Sequence, residues 1–319
     1  MKSARTLKTA PALGFFLVAV PLLLAVGPNA CPVIDVQCGD VLDIDFGHYK
    51  LNGDLVCPFG PLGRRDTALT MTGEGVHFNL AGHTITRDDD TGRVLQRGIF
   101  VSGANAHIRG GSIVDINCPI LNNPNCAAIV LGEAPGARIN GMSLHNNTVG
   151  IISFSDADGA RIHSNDITGN LRIGIGLFGT AEGAMITGND LSDTGGFSAP
   201  FGFGTAGYFG SSDDVSLIGN VANNSVNGIV VFGSEGSDGV AERNTIRDNT
   251  TLDNERGGIA TAGLTEAARP RDNLIQSNTS FGNGLRDLSE RLSGVGAAPD
   301  CLNTWMDNDF DVAEPDCIE

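Results

Sequence analysis

The sequence has little positive charge and few aromatic side chains. Of its 319 residues, 20 are Lys or Arg and 37 are Asp or Glu, so the formal net charge is −17. Duplex nucleic acid and anionic membrane surfaces repel such a chain, which excludes both as default partners. Aromatic residues make up only 6%, but 41% of residues are hydrophobic. That is enough for a sizeable core and argues against wholesale disorder.

Several common signatures are also missing. The 44 glycines follow no three-residue period and Pro numbers only 13, so a collagen-like helix is excluded. No Cys-x-x-Cys pair is present, which leaves the cysteines without the spacing of a zinc site. The Gly-rich segment around 202–204 lacks the Lys that ends a phosphate-binding loop. Beyond residue 30, no segment is long and apolar enough to span a bilayer.

The first thirty residues have the form of a secretory signal. Three basic residues within the first eight precede an uncharged, mostly apolar run over 10–27, the order of a signal peptide. Pro11, Pro21 and the shortness of the run argue against a membrane anchor. We therefore expect a signal peptide over 1–30 and an extracytoplasmic mature protein. Cys31 follows directly and leaves a lipoprotein signal, with a lipid anchor at this residue, as an alternative.

The other cysteines predict disulfides. Seven Cys are present, and the six beyond Cys31 fall into three pairs that are close in sequence. In an oxidising compartment the economical pairing joins these neighbours, one of fifteen conceivable connectivities. The expected bridges are Cys38–Cys57, Cys118–Cys126 and Cys301–Cys317.

A repeated segment dominates the rest of the chain. Looser copies begin at 76, 106 and 137, and the base period is about 24 residues with insertions. Within each copy apolar residues alternate with period two between Gly, Asn and Asp turns, which predicts short strands. Stacked units bury a continuous core of Ile, Leu and Val, so we predict an all-β, single-domain parallel β-solenoid of about eight rungs. The clearest copies contain Asn165, Asn189, Asn220, Asn244 and Asn278.

We expect the repeated Asn to be structural. Asn tolerates a left-handed backbone at a tight bend, and stacked copies can bond amide to amide in an inward ladder. The predicted ladder runs through the five Asn just named. The alternative is ligand binding or, in a eukaryote, glycosylation, because four Asn open N-x-S/T sequences. These are Asn146, Asn223, Asn249 and Asn278.

With these Asn-centred rungs the chain resembles right-handed parallel β-helix proteins of the pectin-lyase-like superfamily. Its opening and closing segments are similar to a secreted bacterial subgroup of right-handed β-helix repeat proteins without an assigned reaction. The resemblance covers about 38–318 and implies a right-handed coil and a leaning towards polysaccharides, although fold does not settle function. The motifs that carry it are Cys38-Gly-Asp, Asp54-Leu-Val-Cys57, Phe78-Asn-Leu-Ala-Gly-His-Thr-Ile85 and Cys301-Leu-Asn-Thr-Trp305.

The ends of an open β-helix expose unpaired strand edges and need covering. We predict an N-terminal cap over 31–70, the β-helix over 71–283 and a C-terminal cap over 284–319. In the last segment one apolar face of a short helix is predicted by an i, i+3, i+7 spacing. The residues with this spacing are Leu285, Leu288 and Leu292.

Aligning the rungs stacks basic residues in vertical columns. Outward positions before the inward apolar residue are His77, His107, Arg138 and Arg161, and those after it are Asn79, Arg109, Asn140 and His163. Like charges one strand apart are destabilising unless neutralised, which predicts a site for an anionic ligand such as a uronic-acid polysaccharide. The alternative is that acidic loops fold over and pair with the arginines. The candidate binding residues are His107, Arg109, Arg138, Arg161 and His163.

A second group of candidates is acidic. Asp156, Asp158, Asp213 and Asp214 lie in loops after the Gly-Ile strands. Stacked loops would bring their oxygens to one edge, where they suit Ca²⁺. Their spacing matches no calcium motif, so no cofactor is assigned. Calcium binding and solvated surface loops are both compatible with these residues.

Two main functions are compatible with the sequence. The first is an extracytoplasmic protein that binds acidic polysaccharide, with or without lyase, epimerase or hydrolase chemistry. The second is a non-catalytic surface or structural β-helix that presents loops to a protein partner, and a metal chaperone is a third hypothesis. No catalytic residue can be named, because Lys50 is the only lysine after the signal and carboxylate pairs can be chosen in many ways.

Overall fold

The computed structural model describes residues 34–58, 67–88, 96–117, 126–195, 205–210, 212–233, 240–292, 296–297 and 300–318. Nearly all regular structure in these ranges is β-strand, numbered β1 to β27 in chain order, with one 3-10 turn at Glu266–Ala268. The predicted signal peptide and lipid-anchor residue Cys31 lie outside the described residues. The predicted all-β parallel solenoid of about eight rungs is confirmed.

One long sheet, sheet 1, gains one parallel strand from each coil. Its neighbouring strands are hydrogen-bonded in register, and an antiparallel strand and a short parallel strand close its C-terminal end. Its strands are β1 (Val41–Leu42), β4 (Thr67–Met71), β7 (Arg97–Val101), β9 (Ala127–Leu131), β11 (Val149–Ser153), β13 (Ile173–Leu177), β15 (Thr205–Gly210), β17 (Asn227–Gly233), β20 (Gly257–Gly263), β23 (Arg286–Leu292), β24 (Gly296–Ala297) and β27 (Ala313–Glu314).

A second sheet, sheet 2, stacks in the same way. Its strands are β2 (His48–Lys50), β5 (His77–Asn79), β8 (His107–Val114), β10 (Arg138–His145), β12 (Arg161–His163), β14 (Met185–Thr187), β16 (Ser216–Ile218), β18 (Thr245–Arg247), β21 (Leu274–Gln276) and β25 (Thr304–Met306). A third face begins beyond a bend and includes the second halves of β8 and β10. Its other strands are β3 (Leu55–Cys57), β6 (Thr84–Arg87), β19 (Thr250–Leu252), β22 (Thr279–Phe281) and β26 (Asp309–Phe310).

The core is a set of stacked apolar columns. Because strand side chains alternate between faces, the second residue of each sheet 2 strand points inward while its neighbours point out. Burying each of these large side chains contributes about 1.5–3 kcal/mol. The inward column of sheet 2 is Tyr49, Phe78, Ile108, Ile139, Ile162, Ile186, Leu217, Ile246, Ile275 and Trp305, all buried.

The predicted Asn ladder exists, with one change of member. In each pair of coils the Asn side-chain Nδ2 donates to the Oδ1 of the next Asn at 2.9–3.0 Å. Asn244, predicted in this ladder, lies instead in a parallel one with Asn273 and Asn303. The sequence alignment was wrong here because the ladder step from Asn220 is 29 residues long, not the base period. The ladder is Asn165, Asn189, Asn220, Asn249, Asn278 and Asn308.

The left-handed bend precedes each ladder Asn and does not coincide with it. The preceding residues have φ between 54° and 64°, whereas we expected Asn itself to adopt this conformation. The bend turns the chain so that the next side chain points inward and reaches the adjacent coil. The left-handed residues are Ser164, Gly188, Gly219, Asp248, Ser277 and Asp307.

The segments predicted as caps contain strands of the stack. Strands β2 and β25 lie in the segments predicted as caps, yet they pair in parallel with β5 and β21 and so form further coils. The helix predicted from Leu285, Leu288 and Leu292 is wrong, because β23 occupies this segment and pairs with β20. Leu288 stacks inward on Ile259. Pairing with the exposed edge of β20 in the preceding coil outweighs the local helical preference of this segment.

Two of the predicted disulfides are confirmed. Cys38–Cys57 and Cys301–Cys317 join Cα atoms 5.4 and 6.1 Å apart. Cys126 is also disulfide-bonded, but Cys118 lies outside the described residues, so their pairing stays a prediction. Disulfides of this kind are typical of oxidising, extracytoplasmic compartments.

Within the described ranges there is no helix with the length and apolar content that crossing a bilayer requires.

Breaking the ladder in its middle should be costly. Asn220→Ala is expected to lower the free energy of unfolding by about 3 kcal/mol, because buried groups on Asn189 and Ile186 lose their partners. The control is Asn227→Ala, whose half-buried amide makes one long bond of 3.5 Å, with an expected change of about 0.5 kcal/mol or less. Urea unfolding measures both. Equal losses in the two variants would show that the ladder adds nothing specific.

Candidate anion-binding surface

The first coils of sheet 2 carry basic side chains in two outward columns, together called the basic stripe. Each member lies directly over its counterpart in the next coil, at the ordinary strand spacing of about 4.8 Å. The five residues predicted from the sequence all fall within these columns and are brought together. One column is His48, His77, His107, Arg138 and Arg161, and the other is Lys50, Asn79, Arg109, Asn140 and His163.

The arginines of the stripe are exposed, and among the described residues they have no compensating carboxylate. Arg109, Arg138 and Arg161 lie on three successive coils. In the described part of the chain, no Asp or Glu lies within ion-pair distance of any of the three. The alternative expectation, that acidic loops pair with these arginines, is therefore not realised among the described residues. Stacked cations without partners attract an anion.

Three imidazoles and an amide form a connected chain at the start of the stripe. The rings of His48 and His77 stack with centroids 4.6 Å apart, and Nδ1 of His77 lies 3.3 Å from Nδ1 of His107. Nε2 of His107 lies 2.6 Å from Oδ1 of Asn140, which accepts, so this nitrogen carries a proton. In neutral His107, Nδ1 then accepts a hydrogen bond from Nδ1 of His77. The hydrogen bonds thus run in one direction, from His77 through His107 to Asn140.

The position of His77 disfavours its protonation. Burial lowers its pKa below the ordinary 6.5, and the neighbouring charges of His48, His107, Arg109 and Arg138 lower it further. At neutral pH His77 is therefore uncharged. Acidification adds charge here only at the expense of repulsion within the stripe.

The acidic candidates serve the turns and an ion pair. Oδ1 of Asp156 accepts from the backbone N–H of Asp158, and Oδ1 of Asp158 accepts from that of Glu182. Asp213 and Asp214 both pair with Arg243, at 3.1 and 3.0 Å. Among the described residues, no three His, Cys, Asp or Glu side chains are placed to share a metal ion.

Sequence reasoning missed two members of the stripe. His48 and Lys50 belong to a segment assigned to the N-terminal cap, and the structure places them on β2, in register with His77 and Asn79. The signal was present, because the sequence His48-Tyr-Lys-Leu matches His77-Phe-Asn-Leu position for position. Aligning these tetrapeptides would have added a coil to the stripe.

The family of the chain is shown by a match of its sequence to a family model, in agreement with the coiled fold. The model described as "Right handed beta helix region" matches residues 97–290, which is more than half of the chain. The protein therefore belongs to the right-handed β-helix family, as the resemblance implied. No curated protein matches the sequence.

Solved structures with similar coils include two phage tailspikes. The Dettilon tailspike protein superimposes with a TM-score of 0.57 at 17% identity, over 82% of this chain and 49% of that one. A mutant tailspike of E. coli bacteriophage HK620, solved with a pentasaccharide, gives 0.55 at 12% identity, over 85% and 51%. The chain thus spans about half the length of these tailspikes. At such identities the likeness shows the fold alone.

The environment of His77 can be checked by NMR. We expect the ring protons of His77 to titrate with a midpoint below 6.5, and His107→Asn to raise that midpoint because it removes one neighbouring imidazole. The midpoint should stay below 6.5 in the variant, since burial is the largest cause. Because a lowered histidine pKa means that the unfolded chain binds more protons, this group costs stability as the pH falls below 6.5. A wild-type midpoint at or above 6.5 would contradict the described packing.

Proposed function

We propose that the protein binds an anionic polysaccharide along the basic stripe, in an extracytoplasmic compartment. The observation that carries the proposal is the presence of Arg109, Arg138 and Arg161 on successive coils, exposed and without carboxylate partners in the described structure. Stacking them costs repulsion in the free protein, and a bound polyanion removes that cost.

The arrangement of the stripe fits a linear polymer better than a small anion. A small anion would contact one guanidinium or two, whereas a chain lying along the coil axis meets a new outward pair about every 4.8 Å. Guanidinium groups bind carboxylate or sulfate groups through two parallel hydrogen bonds. Asn79 and Asn140 lie between the cations of their column, and their amides suit sugar hydroxyl groups.

The overall charge of the protein sharpens this selectivity. A chain of net charge −17 repels polyanions at long range, so binding needs a local concentration of positive charge such as the stripe and depends on salt. The HK620 tailspike, with a similar fold, was solved with a pentasaccharide, which supports a glycan ligand for this fold. The disulfides support a location outside the cytoplasm.

Removing two stripe arginines tests the proposal. Arg138→Ala together with Arg161→Ala is expected to weaken binding to pectate or alginate at least about 100-fold, because each arginine supplies a charge-assisted contact of about 1.5 kcal/mol or more. The matched control is Arg247→Ala, which lies further along sheet 2 and is paired with Asp248 at 3.1 Å. Calorimetry at low salt, with neutral dextran as a second control, measures the affinities.

The outcomes separate the two functions raised by the sequence. Binding that is lost in the double variant and retained in Arg247→Ala supports a glycan-binding stripe. Failure of the folded wild-type protein to bind any anionic glycan would overturn the proposal and favour a protein that presents its loops to another protein. An absorbance assay for unsaturated uronates on the same polymers then distinguishes binding from lyase activity.

A further inference from the structure

Strand β10 carries a second polar group beyond the bend at which it leaves sheet 2. Gly141, with φ of 60°, turns the strand, so that Arg138 lies on sheet 2 while Ser143 and His145 lie on the third face. Asp166 of the next coil bridges to Ser143. All three side chains after the bend are at least partly open to solvent.

The hydrogen bonds of this group have one consistent direction. Nδ1 of His145 lies 3.3 Å from the carbonyl oxygen of Thr168 and 2.9 Å from its Oγ1. Because a carboxylate only accepts, Oγ1 of Thr168 gives its single proton to Asp166 and therefore accepts from Nδ1 of His145. Nδ1 thus carries the ring proton, and Nε2 of the neutral ring is left as an acceptor. Its partner is the hydroxyl of Ser143. Oγ1 of Thr168 in turn donates to Oδ1 of Asp166 at 3.0 Å.

The resulting order is Ser143, His145, Thr168, Asp166, each donating to the next. This is a nucleophile next to a base whose tautomer is set by a third group. Oδ2 of Asp166 also lies 3.3 Å from Nε2 of His145. A carboxylate there stabilises the imidazolium that forms when the ring takes a proton.

The group spans two neighbouring coils and does not recur along the stack. The corresponding positions are Ser112 and Val114 on the preceding coil and Asp190 and Ser192 on a following one, and no imidazole occurs there. A polar ladder that only solvates the face would need no histidine. Side-chain exposure of 30% for His145 and 57% for Asp166 leaves room for a large substrate.

We propose that Ser143 and His145 hydrolyse carboxylic esters, such as the O-acyl groups of an acylated polysaccharide. Oγ of Ser143 attacks the acyl carbon while Nε2 of His145 takes its proton, and the hydroxyl of Ser112, in register with Ser143, is placed to donate to the oxyanion. The ester C–O bond then breaks, and the proton passes from His145 to the leaving sugar oxygen. Water next gives a proton to His145 and attacks the acyl carbon. The Ser143 Oγ–C bond breaks, the proton returns to Ser143, and a carboxylic acid leaves.

This activity goes beyond glycan binding and does not depend on it. A small activated ester such as p-nitrophenyl acetate contains no anionic group for the basic stripe. Ester hydrolysis without polyanion binding, or the reverse, would therefore separate the two proposals. Arg138 of the stripe and the Ser143–His145 pair all lie on β10. If the acylated polymer is anionic, both sites would therefore contact the same substrate.

Covalent trapping tests the nucleophile directly. A fluorophosphonate probe should label the full-length protein on Ser143, located by peptide mass mapping, and heat-unfolded protein should not be labelled. Ser143→Ala should abolish labelling and lower kcat/KM for p-nitrophenyl acetate at least about 100-fold, and His145→Gln should do the same. Ser216→Ala, an outward serine on β16 without an imidazole beside it, should leave both unchanged. Absence of labelling, labelling elsewhere, or full activity in folded Ser143→Ala would overturn the assignment.

Thr168 and Asp166 are positioning residues and need a different measurement. Thr168→Val, which removes the hydroxyl, should lower kcat about tenfold with KM unchanged, and Thr168→Ser should restore it. Equal melting temperatures of the two variants show that the loss is not one of folding. Identical kcat values for the Val and Ser variants would remove Thr168 from the chain of hydrogen bonds.

Discussion

The amide hydrogen bonds between coils are the interaction on which the rest of the structure depends. A ladder Asn satisfies a carbonyl in one coil and offers its own oxygen to a backbone N–H and a side chain of a neighbouring coil, all buried. These groups lose their partners if the coils slip by a single residue. Register is thereby specified, and residues far apart in sequence become permanent neighbours in columns. The basic stripe depends on the same in-register stacking of coils.

Scaffold and candidate function occupy different parts of the stack. The long ladder begins at Asn165, whereas the basic stripe ends at Arg161 and His163. At the corresponding inward position the stripe coils have Gly111 and Met142, and a Cβ on Gly111 would lie 2.3 Å from that of Leu80. Beyond the stripe the first outward column becomes Met185, Ser216, Thr245, Leu274 and Thr304, without charge. The ladder coils, which have the most regular hydrogen bonding, thus adjoin the stripe coils, whose stacked cations repel one another.

Much of the fold could be predicted from the sequence because the repeat is itself the structural unit. Alternation around Ile162 or Ile186 predicts an inward residue, and the recurrence of the pattern predicts stacking. The errors arose where the length of a coil departed from the base period, or where strand pairing between coils outweighed a local helical pattern. Asn244 was assigned to the wrong ladder because one coil is longer, and Leu288 was placed on a helix because its strand partner is not visible in local spacing.

The candidate sites differ in how far the sequence reveals them. Arg138 and Arg161 could be predicted as neighbours because they flank aligned inward residues. The absence of carboxylate partners in the described structure could not, since it depends on where the acidic loops turn back. The group around His145 was invisible for another reason. Ser143 and Asp166 share one position of the repeat in successive coils but differ in residue type, so only the contacts with His145 reveal the group.

A distance between two labelled coils tests the central claim of in-register stacking most directly. Spin labels at positions 161 and 304 would lie in one outward column, separated by five strand spacings or about 24 Å along the stack. Double electron–electron resonance should give a narrow distribution near that distance, despite the long stretch of chain between the labels. A broad distribution, or a mean displaced by several strand spacings, would contradict the stack and with it both proposed sites.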